Sequence, residues 1–536
     1  MEKKAILNNK IYLYLTEFFA GASVMAVELG ASRLLAPYFS SSQIVWTIII
    51  GTIMIAMALG NIFGGRSADK DPDPGRLYMR ILVAAVYIAA IPVLGKYIII
   101  GISALLIMTV NTNFLVIAAF VSCMVIFVFP LFLLGTVTPS LAKYTVGSLD
   151  DSGKTVGVLG AFNTIGSIIG TFLPTFVTIP AVGTSVTFLI FSGVLLIISL
   201  AYFISTKEKK TACIIAVILF ILCTVFGRSG SFAFWENNLT YEGESIYNYL
   251  QVKENDKEVL LSTNVLFGVQ SVTRKDGSLT GGMYYDYDMA APVMAGVRDK
   301  EHSDMLILGM GTGTYARQCK RYFDGLDIEG VEIDGKITDL ADRYFDADPG
   351  VPVYTYDGRA YLHVSDKKYD VIMVDAYQDI SIPFQMSSVE FFREVYEHLN
   401  DDGIMVVNMN MRSDSEGNIN EYLTDTIASV FPSVYTIDIP HYTNRELFAS
   451  KNSDCRKRLY ENSLNMSDTE LTELMLDTYA GLEEKTGMDH IFTDDKAPVE
   501  LLGMREIDGL IKNEVSYYRN IYDEYGLQGV LDSLGI

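Results

Sequence analysis

One stretch limits the fold more than any other: Met305–Asp334, MLILGMGTGTYARQCKRYFDGLDIEGVEID. The apolar run Met305–Leu308 reads as a buried strand, and it empties into Gly309-Met310-Gly311-Thr312-Gly313-Thr314. A helical segment is expected from about Tyr315, and a second strand ends in Val331-Glu332-Ile333-Asp334. A strand, a glycine loop, a helix and a second strand closing on an acid form a nucleoside site. Gly309, Gly311 and Gly313 let the backbone approach the ligand, and Glu332 accepts from ribose hydroxyls.

The segments that follow keep the same rhythm. Strands are expected at 305–308, 327–333, 353–356 and 371–375, with helices between them, and another at about 404–409. Two more, near 433–438 and 445–449, make a closing hairpin. Such alternation means a parallel sheet that binds ligands at the carboxyl ends of its strands. The third strand ends in Asp357-Gly358 and the fourth in Asp375. Asp357 is placed to accept from an adenine amine, and Asp375 to point into the crevice. A lone Asp at such a place is usually a turn or cap residue; four consecutive strand ends with suitable groups favour a site. The segment Ile380–Ser388 at the fourth strand's mouth is expected to cover a substrate, ahead of a helix from about Val389. Ahead of the sheet, SIYNYLQV, KEVLLST, FGVQSVTR and GGMYYDYD read as short strands.

Charge and hydropathy divide the chain. Residues 1–230 hold 15 Lys and Arg against 9 Asp and Glu, which leaves 26 against 55 for the remainder of a chain whose net charge is −23. An acidic surface of that size repels phosphates and argues against nucleic-acid binding, while suiting a cationic substrate. The basic part carries bilayer-length apolar stretches near 11–35, 43–65, 114–136, 156–180, 184–205 and 211–227. Residues 79–112, interrupted by Pro92, Gly95 and Lys96, fit one crossing or two. With one, the lysines and arginines of every other connection share a side, and the positive-inside rule puts the acidic domain outside. Glu28 and Arg33 are expected as an interfacial pair, and Asn163 with Gly166-Ser167-Ile168-Ile169-Gly170 as helix-packing features. Five scattered cysteines and five histidines show no metal spacing, so no metal site is expected.

Taken together, these residues resemble the spermidine synthase family, the aminopropyltransferases, in the bacterial branch where that domain follows a multi-pass membrane region. The resemblance is carried by Val27-Glu28, Leu34-Leu35-Ala36-Pro37, Gly60 to Arg66 and Asn163–Gly166 in the first part. In the second it is carried by Glu244–Tyr247, Gln270-Ser271, the tyrosines of 284–287, the glycine loop, Glu332, Asp357-Gly358, Asp375-Ala376-Tyr377, Ile382-Pro383 and the Thr493–Glu500 turn. It implies an α-helical multi-pass membrane domain followed by an α/β Rossmann-like domain of the class I S-adenosylmethionine-dependent transferase type, with a small β-rich N-terminal subdomain. The boundaries expected are 1–228 for seven or eight membrane helices, 229–300 for the β-rich subdomain, 301–504 for the Rossmann-like domain and 505–536 for a helical tail.

The implied reaction moves an aminopropyl group from decarboxylated S-adenosylmethionine to a polyamine or other cationic acceptor. Carried over by position, Gly309, Gly311, Gly313, Glu332, Asp357 and Gly358 bind the donor, and Asp375 is catalytic. Gln270, Asp379 and either Tyr285 or Tyr287 bind the acceptor. Two positions depart from the family pattern. Thr312 stands where the glycine loop carries an acid, and Gln378 where a second acid follows the catalytic one, with Asp379 a step late. A methyltransferase using S-adenosylmethionine itself, or a non-catalytic nucleoside- or polyamine-binding membrane sensor or transporter, therefore stands as an alternative. Lipid contact is expected, and the resemblance admits a homodimer. A donor made in the cytosol calls for a cytoplasmic domain, against the positive-inside count.

Overall fold

The computed structural model describes residues 9–107, 110, 113–145, 152–228, 231–236, 239–265, 269–376, 382–410, 412–413, 415–487 and 489–533. The chain divides into two compact units, one of Met1–Asn237, Gly243–Tyr249 and Asn264–Leu266, the other of Asn238–Glu242, Leu250–Thr263 and Phe267–Ile536.

The first unit is helical: α1 (Lys10–Phe39), α2 (Gln43–Lys70), α3 (Pro74–Ile107), α4 (Phe114–Gly135), α5 (Val137–Thr145), α6 (Ser152–Leu173), α7 (Ile179–Thr206) and α8 (Lys210–Gly227). Among the described residues six runs are long and apolar enough to cross a bilayer, and one of them, Ser152–Thr206, is 55 residues long. That run is twice the length a bilayer needs. A π-helical turn at Pro174–Thr178 and Gly183 at φ +80° interrupt it, which leaves two bilayer-length helices. The ambiguous stretch resolves into one helix, α3, which passes through Pro92 and ends at Ile107. The eight-crossing alternative needed two helices there. One proline frees only one backbone acceptor, which a packed apolar helix tolerates. Lys96 lends its ammonium to the Ser231 carbonyl at 2.8 Å, and a Cβ on Gly95 would meet Leu34 Cδ2 at 2.9 Å, so both residues belong to packing.

Glycines set the closest helix approach. A Cβ on Gly166 would lie 2.0 Å from the Phe18 carbonyl oxygen, and one on Gly170 2.1 Å from that of Ala22, so α1 and α6 touch through backbone. Arg33 donates to the Ile246 carbonyl, and the ionisable group buried in α1 is Glu17, 0% exposed. Glu17 Oε1 accepts from Thr138 Oγ1 at 2.5 Å and Asn163 Nδ2 at 2.9 Å.

The second unit opens with a four-stranded sheet, β1 (Leu239–Glu244), β2 (Tyr249–Glu254), β3 (Glu258–Ser262) and β4 (Ser271–Arg274), in chain order. The expected strand GGMYYDYD is instead a loop and a short helix, α9 (Tyr284–Asp288). Asp286 causes the turn: its carboxylate accepts from the backbone of Thr280 and Gly282, both at 2.8 Å, which curls the chain back on itself. Next come α10 (Ala290–Met294), β5 (Ser303–Leu308), α11 (Thr314–Tyr322), β6 (Leu326–Glu332), α12 (Gly335–Tyr344), β7 (Val353–Thr355), α13 (Gly358–Val364) and β8 (Tyr369–Val374). The chain continues through α14 (Val389–His398), β9 (Leu399–Met409), α15 (Ile419–Ala428), β10 (Ser433–Asp438), β11 (Arg445–Ser450), α16 (Cys455–Ser463), α17 (Thr469–Gly481), β12 (Glu483–Glu484) and α18 (Val499–Ser533).

The large sheet runs β12-β10-β11-β9-β8-β5-β6-β7. The five strands from β9 to β7 are parallel, and β11 inserts antiparallel between β9 and β10. Their alternating side chains fill two cores, one on each face, because a parallel strand is covered on both sides. Strand order reverses between β5 and β8, and a crevice opens there at the carboxyl ends.

Candidate active site

The glycine loop sits at that reversal. Gly309 takes φ +90°, and a Cβ there would lie 2.4 Å from the Asp375 carbonyl oxygen. Only glycine lets β5 and β8 deliver their ends side by side. The Asp375 N–H donates to the Leu308 carbonyl at 2.9 Å, which fixes the base at the loop. Gly311 lies close to Ser271, where a Cβ would be 3.0 Å from its hydroxyl, and Gly313 at φ +81° precedes α11.

Glu332, 7% exposed, accepts from Gly311 N at 2.9 Å through one oxygen and from Asp334 N at 3.0 Å through the other. It braces the loop and keeps further lone pairs for a diol. Burial raises its pKa, against the backbone N–H groups of Asp334, Gly311 and Ile333 that lower it. Asp357 caps α13, taking Ala360 N at 2.8 Å, so the turn role weighed for it is filled by one of its oxygens. Gly358 begins that helix, where a Cβ would stand 3.3 Å from Met386 Cε. Arg359 follows and ties α13 to the Thr493–Glu500 turn, donating to both Asp494 oxygens at 2.7 and 2.9 Å.

Asp375 is held by two side chains. Tyr284 Oη donates to Oδ2 at 2.7 Å and Asn408 Nδ2 to Oδ1 at 2.9 Å, while Asn444 Nδ2 orients Asn408 through its Oδ1 at 2.8 Å. Burial pushes the Asp375 pKa up to about 7; the two hydrogen bonds oppose the rise, and the Glu332 carboxylate adds to it. A carboxyl half-ionised near neutrality is matched to accepting a proton from an ammonium.

The tyrosine that meets Asp375 is Tyr284, while the two expected at the acceptor, Tyr285 and Tyr287, are placed differently. Tyr285 packs tilted against Tyr284 with centroids 3.9 Å apart and donates its hydroxyl to the Gln270 backbone carbonyl at 3.0 Å. Tyr287 is partly buried against the apolar core beneath. Helical spacing explains the difference: a strand would have alternated 285 and 287 toward one face, whereas α9 turns Tyr284 and Asp288 to the same side. Asp379 and Gln378 lie outside the described residues, as do Ile380 and Ser381 at the start of the expected cover at 380–388. Thr312 is 2% exposed among hydroxyls, 3.4 Å from Thr314 Oγ1. Asn408 was missed because it sits in an apolar strand, VVNM; one amide breaking such a run near its end was the available signal.

A doubly wound sheet with a braced glycine loop and a clamped carboxyl at its switch point defines a Rossmann-like transferase. Residues 287–463 match the spermine/spermidine synthase domain. A probable polyamine aminopropyl transferase of Bifidobacterium longum (strain NCC 2705) is 54% identical over 349 residues, 62% of this chain and 77% of that protein. The polyamine aminopropyltransferase of Vibrio vulnificus (strain CMCP6) is 27% identical over 243 residues, 44% of this chain and 78% of that one. The crystal structure of spermidine synthase from Thermotoga maritima covers 45% of this chain and 84% of its own at 22% identity, with a TM-score of 0.37. The fold assignment rests on the strand order above rather than on that superposition. The chain belongs to the spermine/spermidine synthase family and is an enzyme of that type.

Proposed function

We propose that the acidic unit transfers an aminopropyl group from decarboxylated S-adenosylmethionine to an amine of a polyamine. The observation that carries this reading is the Asp375 carboxyl, poised near pKa 7 between Tyr284 and Asn408 beside the glycine loop. Glu332 takes the ribose hydroxyls, Asp357 the adenine amine through its uncommitted oxygen, and Gly309, Gly311, Gly313 and Gly358 keep the cradle open. An acceptor ammonium gives its proton to Asp375, and the freed lone pair attacks the methylene next to the sulfonium. The carbon–sulfur bond breaks with its electrons going to sulfur, which leaves neutral methylthioadenosine. The base then returns its proton to solvent.

Thr312 supports a second reading. A neutral hydroxyl cluster in place of an acid tolerates a donor carboxylate, as a methyltransferase requires. Incubating the purified chain with each donor and a panel of polyamines, followed by mass analysis, separates the two. Methylthioadenosine with an acceptor heavier by one aminopropyl unit is expected. S-adenosylhomocysteine would transfer the assignment to methylation, and saturable binding without product would make the chain a sensor or transporter.

The helical unit is read as a membrane anchor. Seven crossings carry the acidic unit to the face opposite the lysine-rich connections, the outer face by the positive-inside rule. A cytosolic donor instead demands a cytoplasmic site and an even number of crossings. A cysteine at Glu416, an exposed position two residues before the buried Asn418, decides between them by labelling from outside the cell. Protection from the reagent is the outcome the enzyme reading requires; efficient labelling requires that the donor reach the outer face.

A further inference from the structure

Two carboxyls that the proposed mechanism does not use lie next to the groups clamping Asp375. Glu446 of β11 pairs directly with Asn408 of β9, so their side chains leave the sheet on one face, about 5 Å apart at the backbone. Asp288 stands one helical turn beyond Tyr284 in α9, on the same side of that helix. The two residues that hold Asp375 are thus each backed by an acid, and the acids face each other.

Both acids are 0% exposed, and none of their four carboxyl oxygens receives a hydrogen bond from a donor group among the described residues. No lysine, arginine or histidine among those residues makes an ion pair with either. The surrounding titratable groups are the carboxyls of Asp286 and Asp375 and the phenols of Tyr285 and Tyr315, with Cys319 beyond the latter. Asp286 is occupied by Thr280 N, Gly282 N and Gln318 Nε2, so it offers the pair no relief. Burial pushes both pKa values well above the carboxylate range; at Asp288 the hydrogen bond with Glu446 opposes the rise and the charges of Asp375 and Asp286 add to it, and at Glu446 the Asp288 and Asp375 carboxyls add to it. At this buried position near the start of β11 an apolar side chain would serve the fold at least as well as Glu446 does. A buried acid pair without a counter-ion, beside a carboxyl tuned for proton transfer, marks a place built for a cation.

We propose that Asp288 and Glu446 form an ammonium subsite that takes one primary alkylammonium end of a substrate whose reacting centre lies at Asp375. This rests on the aminopropyl-transfer reading above and supplies, at a different place, the negative charge that Thr312 withholds from the loop. When empty, the pair shares a proton. Binding an alkylammonium releases that proton to solvent and leaves one cation between two carboxylates. Two substrates have such an end: the acceptor at its non-reacting terminus and the donor at its aminopropyl terminus.

The test uses the full chain in detergent, as wild type, Glu446→Gln and Asp288→Asn. Both variants keep shape and remove charge. Initial rates are measured with each substrate varied in turn. The expected result is a tenfold or greater rise in one KM, with kcat changed less than threefold. A rise confined to the acceptor's KM assigns the subsite to the acceptor, and one confined to the donor's KM assigns it to the aminopropyl terminus. Both KM values unmoved in both variants would overturn the proposal and leave a structural acid pair. If no donor is turned over at all, the aminopropyl-transfer reading fails, and the subsite is judged by binding alone. A rise in melting temperature with 1,4-diaminobutane or propylamine that is seen in wild type and lost in both variants sustains it. An equal rise in all three proteins, or none in wild type, overturns it. A variant that fails to fold is set aside by its melting curve, and the other carries the test.

Discussion

Glycine and buried acid serve opposite ends in the two units. In the helical unit, Gly166 and Gly170 keep ordinary helical angles and are needed for space, because Phe18 and Ala22 carbonyls occupy the place of a Cβ. In the Rossmann-like unit, Gly309 needs both space and a positive φ. The acids differ in the same way. Glu17 is tied down by neutral donors from two other helices, whereas Asp375 is held by donors that leave it close to ionisation at neutral pH. A buried carboxyl in the first unit joins helices; in the second it is set for chemistry.

The comparison breaks most sharply at the two acids. Asp375→Asn keeps the shape of the site and removes the base, so turnover should fall by about 10³-fold while nucleoside affinity, measured by calorimetry, stays near wild type. Unchanged turnover would remove Asp375 from the mechanism. Glu17→Gln should leave turnover alone, since an amide oxygen still accepts from Thr138 and Asn163.

The glycines come next. Gly309→Ala forces a strained φ and a clash with the Asp375 carbonyl, and should lower stability by about 1–3 kcal/mol and weaken nucleoside binding together. Gly166→Ala should cost a similar amount in detergent stability and leave nucleoside affinity unaltered. Equal effects on affinity from both would erase the distinction between the units.

Tyr284→Phe removes one of the bonds that favour ionised Asp375. A lost bond to a charged group is worth about 1.5–3 kcal/mol, so its pKa should move up by about one unit or more. The wild-type rate should climb with pH through about 7 as Asp375 loses its proton, and the variant's rising limb should lie at higher pH.

The smallest effect concerns stability. The folded-state pKa values of Asp288 and Glu446 are raised, so between the ordinary carboxylate range and those values the native state binds more protons than the unfolded chain. Stability is then fullest below that ordinary range and is lost as pH rises through the raised values. Removing one acid of the pair in Glu446→Gln should raise the melting temperature relative to wild type by a few degrees more at pH 8 than at pH 5, as scanning calorimetry can follow.

The succession along the chain of the strands from β5 to β11, the glycine loop and the acids at the strand ends were legible because each rests on local pattern. An apolar run of strand length leads to glycines, and Glu332, Asp357 and Asp375 each close a strand within a few residues of the expected end. Bilayer-length apolar runs were legible for the same reason. The stretch before β5 was not, since GGMYYDYD alternates like a strand and only the Asp286 carboxylate, capping Thr280 and Gly282, bends it into a helix. That bend turns Tyr284 to Asp375.

By itself the sequence determined a basic apolar half, an acidic Rossmann-like half, and the loop on which the second is built. Tertiary structure alone decided that α3 is one helix, that Tyr284 and Asn408 clamp the base, and that Asp288 meets Glu446 across 158 positions of chain. The reason is range. Period and turn chemistry act over a few residues, whereas the pairing of β11 with β9 is set by the register of the whole sheet, and only there do the acids converge.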